Sequence, residues 1–493
     1  MNFLFVGHDY KYAAEQIMLT LFPEERPVYS GPVGPEALSA KISLSHGPHY
    51  STAVTVLYYG GAPYRGVARI QTPDPADTLE WNRQMQKLIR FAFYRAATAA
   101  TGQTPAWGAL SGIRPGKLAT ARLESGQSPR SVKAVLEREY DVSSQRAELC
   151  IHTARAGLAV KAQLHPRDIC LYIGIPFCPT RCTYCSFVSN SVEKSMHLVE
   201  PFLEALTREI QATAEVVSRL GLRIAALYIG GGTPTTLTGA QLTQLTDTLA
   251  ARFDLSHLQE YTVEAGRPDT LDQDKLRRLC QAGVTRLSIN PQSMEDHVLA
   301  AIGRRHTAED IRRATEMARA EGFPVLNMDL IAGLPADSPA GFARTLDQAL
   351  EFGAENITVH TLSMKKGTKL MLEPSESVAS ESVEQMLDTA FSTLSGAGYL
   401  PYYLYRQKFI AGGFENVGWC RPGTESLYNI AIMEELCSIL ALGGGASTKL
   451  VAPKTGHITR IFNAKYPYEY IESLDKMLAS KAQIEVFYQQ EVF

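Results

Sequence analysis

The sequence predicts an α/β protein: a partial (β/α)6-type barrel, preceded by an α+β region and followed by a C-terminal subdomain. Three observations carry this reading. Apolar, strand-like runs begin near Ile169, Ala225, Glu260, Arg286, Val325 and Asn356, each separated from the next by a helix-length amphipathic stretch. Before about Leu164 the texture differs, with short alternating runs followed by helix-period segments. Beyond about Gly367 the βα period is lost.

Six strands in series with intervening helices imply a parallel sheet with right-handed crossovers, all strand C-termini on one side. The helices are expected at Pro201–Leu220, Gly239–Phe253, Leu271–Ala282, Ala308–Ala320 and Pro339–Phe352. Chemistry in such barrels gathers at the C-terminal strand ends. The expected domains are an accessory region over 1–164, the barrel core over 165–366, and a C-terminal subdomain over 367–493 that closes the barrel. His165-Pro-Arg-Asp168 reads as the linker between the first two. Within the accessory region, Ala53–Tyr58 and Arg65–Ile70 read as strands, and Thr78–Ala100 and Ser128–Tyr140 as helices. Ser111–Leu118 fails the phosphate-loop template, because Ser111 stands where the first Gly belongs and Leu118 follows Lys117; it reads as a turn before a helix. In the C-terminal part, a helix is expected near Ser380–Ala397, then the run Tyr402–Arg406 and the glycines Gly443–Gly445.

The chain has 493 residues, 45% hydrophobic and 20% charged, as suits a globular protein with a sizeable core. Lys+Arg 48 against Asp+Glu 51 gives a net charge of −3. That balance argues against a polyanion binder, which needs a basic face, so no nucleic-acid partner is expected. No stretch reaches the roughly 18 apolar residues needed to span a bilayer. Met1–Gly7 lacks a basic n-region and reads as a first strand rather than a signal peptide. A cytoplasmic protein without a membrane span is expected.

The eight cysteines are too sparse for a disulfide scaffold, and three fall close together: Cys178, Cys182 and Cys185. This CxxxCxxC loop directly follows the first barrel strand, which puts it at the C-terminal mouth. Structural zinc wants four protein ligands in a closed tetrahedron. Iron–sulfur clusters also usually take four cysteines, so three thiolates leave a coordination position open, which marks reactivity. Spacing favours a cluster and leaves open a zinc site completed by a distant Cys or His, or reduced free thiols. Cys150, Cys170, Cys280, Cys420 and Cys437 read as small buried hydrophobes.

CxxxCxxC after a strand, with βα units downstream, closely resembles the radical S-adenosylmethionine (SAM) superfamily. The segments Tyr172–Cys178, Tyr228–Thr235, Arg286–Gln292 and Asn327–Pro335 narrow the resemblance to the oxygen-independent coproporphyrinogen III oxidase group. It runs from about Asp168 to Thr448, and the N-terminal region resembles that of a longer Firmicutes form. The resemblance implies a radical SAM barrel whose Cys178, Cys182 and Cys185 hold a 4Fe-4S cluster, with S-adenosyl-L-methionine at its open iron. It assigns Gly230, Gly231 and Gly232 to the methionyl amino group, Thr233 beside them to cofactor binding, and Tyr172 to the cofactor near the cluster. Glu264, Gln292, Arg304 and Asp329 would bind the cofactor's amino acid, ribose and carboxylate, with Arg304 as the natural carboxylate partner. Arg305 and His306 beside it are equally consistent with a solvated helix start.

The implied reaction converts coproporphyrinogen III to protoporphyrinogen IX. A 5′-deoxyadenosyl radical takes a β-hydrogen from a propionate, and loss of carbon dioxide and one electron leaves a vinyl group. The implied partners are a tetrapyrrole substrate and a one-electron donor such as flavodoxin or ferredoxin. Basic groups should meet the substrate carboxylates, with Arg406 and Lys408 as candidates. Two departures from the best-known oxidases are shared with related heme chaperones: Phe187 replaces a fourth cysteine, and Gly174 stands where His is common. Those chaperones carry an HNxxYW heme-ligand motif, and the corresponding stretch here is Tyr428–Met433, without the His or either aromatic. The enzyme reading stands ahead of a heme-binding chaperone, or of a radical SAM enzyme on another substrate.

Overall fold

A computed structural model describes every residue except 113, 187–189, 364–367, 369, 371–377, 408–412 and 493, and for Lys194 the backbone alone. Phe187 and Lys408 therefore lie outside the described residues. Two compact units are present: Met1–Ile151 with Arg406–Phe414, and His152–Tyr405 with Glu415–Phe493. The division falls inside the helix Ser144–Gln163, upstream of the expected linker.

The first unit is built on a four-stranded sheet in the order β1 (Asn2–Val6), β2 (Ser39–His46), β3 (Tyr50–Tyr59), β4 (Ala62–Gln71). β1 runs parallel to β2, and the other pairs are antiparallel. In β3 every second residue from Ser51 to Leu57 is buried, the period-2 pattern of a half-buried strand. The helix Thr78–Thr101 starts where the Asp77 side chain accepts the Glu80 N–H, and it covers the sheet. It packs backbone to backbone at Gly66, where any Cβ would overlap the Ala92 carbonyl. Arg406 belongs to this unit: its guanidinium donates to the Leu110 carbonyl at 2.7 Å and the Gly413 carbonyl at 2.6 Å, and lies over the Trp107 ring. It is spent on backbone carbonyls, so its expected role as a partner of substrate carboxylates is corrected.

Among the described residues, the second unit carries an open sheet of eleven strands. Its six central strands are β5 (Asp168–Ile175), β8 (Arg223–Gly231), β9 (Glu260–Glu264), β10 (Arg286–Ser288), β11 (Val325–Ala332) and β12 (Asn356–Thr361), all parallel and in sequence order. The helices Val199–Leu220, Gly239–Arg252, Gln273–Gln281, Ala308–Glu321 and Pro339–Glu351 connect them, each within two residues of its expected ends. Thr238, Asp272, Thr307 and Ser338 cap four of these helices through their side chains. A two-stranded ribbon, β6 (Phe177–Cys178) with β7 (Asn190–Ser191), follows β5. The main core joins the inner side chains of β5 and β8 to Phe202, Leu206 and Ile210 of the first connecting helix.

The C-terminal strands extend the sheet at both ends and do not close a barrel, contrary to the expectation. β13 (Leu400–Arg406) and β14 (Glu415–Cys420) continue beyond β12, with β14 antiparallel to it. β15 (Ile439–Gly443) lies parallel to β5 and is followed by β16 (Ser447–Val451) and β17 (Ile458–Phe462). Gly443 is required where β15 meets β5, because a Cβ there would overlap the Gly174 carbonyl. Among the described residues, no helix is long and apolar enough to cross a membrane.

The β15 edge is pinned by a buried carboxylate. Glu209 accepts from the Gly443 N–H at 2.8 Å, the Asn463 amide at 2.8 Å and the Tyr470 hydroxyl at 2.5 Å, and pairs with Lys481 at 2.5 Å. Both charged groups are buried, so removing one strands the other. Glu209→Ala should destabilise the protein by about 3–5 kcal/mol, the usual cost of breaking a buried pair, read as a lowered urea midpoint. A loss below about 1 kcal/mol, typical of exposed pairs, would contradict this account.

Candidate active site

The cysteine loop leaves the sheet at the end of β5. Its first stretch is held by the turn after β8: the Gly232 N–H donates to the Ile175 carbonyl at 2.8 Å and the Thr233 N–H to the Phe177 carbonyl at 2.7 Å. The Thr233 hydroxyl donates to Cys178 Sγ at 3.4 Å. A Cβ at Gly232 would lie 2.5 Å from the Phe177 oxygen, and one at Gly230 would lie 2.9 Å from the Glu264 carboxyl carbon. Gly231 has φ +107°, a conformation open chiefly to glycine, and faces the Tyr172 hydroxyl. The three glycines thus present bare backbone where a side chain would crowd its neighbours or strain the chain.

Arg304 holds the loop farther on. Its Nη1 donates to the Asn290 carbonyl at 2.7 Å and the Gly266 carbonyl at 3.1 Å, and its Nη2 donates to the Tyr184 hydroxyl at 3.1 Å. Tyr184 sits between Cys182 and Cys185. The terminal nitrogens of the fork are thereby engaged, and Nε is buried without a hydrogen-bond partner. Arg304 reaches this place from the turn before Ala308–Glu321, after a short helix, Asp296–Ala301, that the sequence pattern did not reveal.

Gln292, just after β10, has φ +68°, a region sparsely occupied by non-glycine residues. Its N–H donates to the Asp329 carbonyl at 2.9 Å, and its buried side-chain oxygen has no partner. Asp329 lies within β11 rather than at its end; Asn327 donates to it at 2.9 Å and His360 Nε2 lies 3.8 Å away. Burial pushes the Asp329 carboxyl up, but His360, Asn327 and Thr358 outweigh it and hold it below the usual range. Glu264 ends β9, accepting from the Tyr228 hydroxyl at 2.5 Å and the Gly231 N–H at 3.3 Å. Tyr228 stacks on Tyr428 with ring centroids 4.4 Å apart, and both stack on Tyr172. Tyr428 is fixed by Glu260, which accepts from the Ser426 hydroxyl and the Leu427 N–H at the start of the helix Leu427–Glu434.

Sequence reasoning assigned no role to Tyr184, Tyr228, His360, Arg267 or Asp269, and read His306 as consistent with a solvated helix start. His306 is buried beside Asp269, not solvated, whereas Arg305 is exposed and pairs with Glu193. None of the eight cysteines is in a disulfide. Among the described residues, no three His, Cys, Asp or Glu side chains are arranged as a ready-made cage for a metal or cluster. The donor chemistry fits such a group, as do the glycine surface and the unpartnered Gln292 oxygen and Arg304 Nε.

A three-cysteine loop at the C-terminal edge of an open parallel α/β sheet defines the radical SAM class, whose members use a 4Fe-4S cluster and S-adenosyl-L-methionine. The Radical SAM superfamily model matches residues 172–349. The chain is 36% identical to the oxygen-independent coproporphyrinogen-III oxidase-like protein HemZ of Bacillus subtilis, over 97% of this chain and 95% of that protein. It is also 32% identical to the heme chaperone HemW of the same organism, over 60% of this chain and 77% of HemW. Coproporphyrinogen III oxidase (HemN) from Escherichia coli, a radical SAM enzyme, shares the fold. Its TM-score is 0.51 at 24% identity, over 66% of this chain and 73% of that one. The chain belongs to the oxygen-independent coproporphyrinogen-III oxidase-like family of radical SAM proteins.

Burial is the main reason the Glu264 carboxyl is pushed up to about 7, and Asp329 adds to it; Tyr228 and Gly231 pull the other way. Between its ordinary 4.5 and about 7, the folded protein keeps a proton that the unfolded chain has lost. The stability this confers is present below 4.5 and lost as pH rises through about 7. Urea midpoints of wild type should therefore fall across that window more than those of Glu264→Gln, which has no carboxyl to ionise. Parallel profiles for the two proteins would show that Glu264 is not protonated as described.

Proposed function

We propose that this protein catalyses the oxygen-independent oxidative decarboxylation of coproporphyrinogen III to protoporphyrinogen IX. The observation that carries the reading is Tyr428. Where the heme chaperones have the His of HNxxYW, this chain has a tyrosine buried in a three-ring stack against Tyr228 and Tyr172. A phenol held there offers no imidazole to heme iron. The kinship to an oxidase-like relative along nearly the whole chain supports the same side.

Bound together, the cluster and S-adenosyl-L-methionine supply a 5′-deoxyadenosyl radical. The chain's own residues then have separable tasks. Cys178, Cys182 and Cys185 provide the thiolates, Thr233 and Arg304 fix the loop that carries them, and Gly230–Gly232 let backbone come close to the cofactor. Tyr172, Gln292, Glu264 and Asp329 bind it, with the charge of Asp329 kept in place by Asn327 and His360. Arg304, whose terminal nitrogens brace the loop, would supply its positive charge to the cofactor's carboxylate. We assign this chemistry to residues 165–366, and treat 1–164 as accessory and 367–493 as C-terminal. The one-electron donor is a small carrier of the flavodoxin or ferredoxin kind, and the cytoplasm, where thiols stay reduced, suits eight cysteines without a disulfide.

Two measurements test this. Anaerobic reconstitution should give about four irons per chain with broad visible absorbance. Cys178→Ala, Cys182→Ala and Cys185→Ala should each abolish it, and Cys280→Ala should not. With coproporphyrinogen III, the loaded protein should form protoporphyrin and release methionine faster than without substrate. Tight stoichiometric heme binding without substrate-dependent methionine release would decide for the chaperone.

A further inference from the structure

We propose that Arg267 sets the reduction potential of the cluster by donating a hydrogen bond to the sulfur of Cys182. The proposal rests on the reading that Cys178, Cys182 and Cys185 hold that cluster. Arg267 stands three residues beyond β9, in the turn Glu264-Ala-Gly-Arg-Pro-Asp269. It is 3% exposed. One edge of its guanidinium grips Asp269, with Nε at 2.9 Å from Oδ1 and Nη2 at 2.7 Å from Oδ2. The remaining nitrogen, Nη1, points into the cysteine loop, 3.1 Å from the Thr180 hydroxyl oxygen and 3.8 Å from Cys182 Sγ. Asp269 is flanked on its other side by His306 Nδ1 at 3.6 Å.

This division of labour within one side chain is informative. A bidentate carboxylate fixes a planar fork in one orientation, so Nη1 is aimed at the loop by geometry rather than by chance rotation. The sulfur's large radius makes 3.8 Å a hydrogen-bonding distance. If Arg267 only tied the turn to the loop, Thr180 would suffice, and the sulfur would be a bystander. A thiolate that accepts a hydrogen bond from a cation gives less electron density to iron, so the reduced, more negative cluster is favoured and its potential rises. Asp269 is the positioning residue: it offsets the charge of Arg267 and keeps the fork from turning away.

The test is an EPR-monitored redox titration of the reconstituted full chain, wild type against Arg267→Met, which removes charge and donors at similar bulk. Reduction of the variant cluster should be disfavoured at least tenfold, a downward shift of 59 mV for a one-electron couple. Arg267→Lys, which keeps the charge but not the fork, should restore part of it. A loaded Arg267→Met cluster with wild-type potential would overturn the proposal. Should that variant hold no iron, the Lys variant decides: a lowered potential supports the role, and a wild-type potential refutes it. Loss of iron in both makes Arg267 a folding residue and also refutes it. Failure of wild type to load any cluster would instead condemn the reading of the three cysteines.

Discussion

The closeness of two backbones governs this site. The turn after β8 passes so near the strand leading into the cysteine loop that Gly232 has no room for a side chain, with the Ile175 and Phe177 carbonyls both within 3 Å of any Cβ. Through that contact the loop is fastened beside the main core of the second unit. Phe177 meets Phe202 edge-on at 5.4 Å, and Phe202 in turn packs on Tyr470 at 5.0 Å. Arg304 and Tyr184 fasten the loop again between its second and third cysteines. Rigid framing of this kind matters because binding groups must be held to within a fraction of an ångström to orient a reactive ligand.

The two glutamates of β9 show how position on one strand sets chemical role. Glu260, at the N-terminal end, meets Arg286, the Ser426 hydroxyl and the backbone donors of a helix start, and serves as an anchor. Glu264, four residues on, has one phenol and one amide for partners in a tyrosine-lined recess, and burial raises its proton affinity against their pull. The same side chain pairs with an arginine at one end of the strand and is raised in proton affinity by burial at the other.

The barrel was legible because parallel strands, buried on both faces, read as nearly unbroken apolar runs, and each of the six begins within two residues of its expected start. The cysteine loop and the glycine turn were legible because their chemistry is written in adjacent residues. What escaped depends on contacts distant in sequence. His306 precedes Thr307, a helix cap, and looks solvated until Asp269, from another strand's end, is found beside it. Arg406 looked like a free cation until its partners proved to be carbonyls, one of them nearly 300 residues away. The parallel pairing of β15 with β5 likewise leaves no local trace, which is why the C-terminal segment read as a separate closing piece.

That last pairing has a consequence for how the protein comes into being. β5, the strand that delivers the cysteine loop, has β8 on one side and β15 on the other, pairing Cys170 with Ile439. The second flank is about 270 residues downstream, and at 5–20 residues per second a ribosome takes roughly 15–50 s to reach it. Throughout that interval β5 presents an unpaired apolar edge, the usual template for unwanted strand addition. The sheet around the loop is therefore completed only after β15 has been made. Until β15 has been made, the strand that supports the cysteine loop lacks one of its two neighbours.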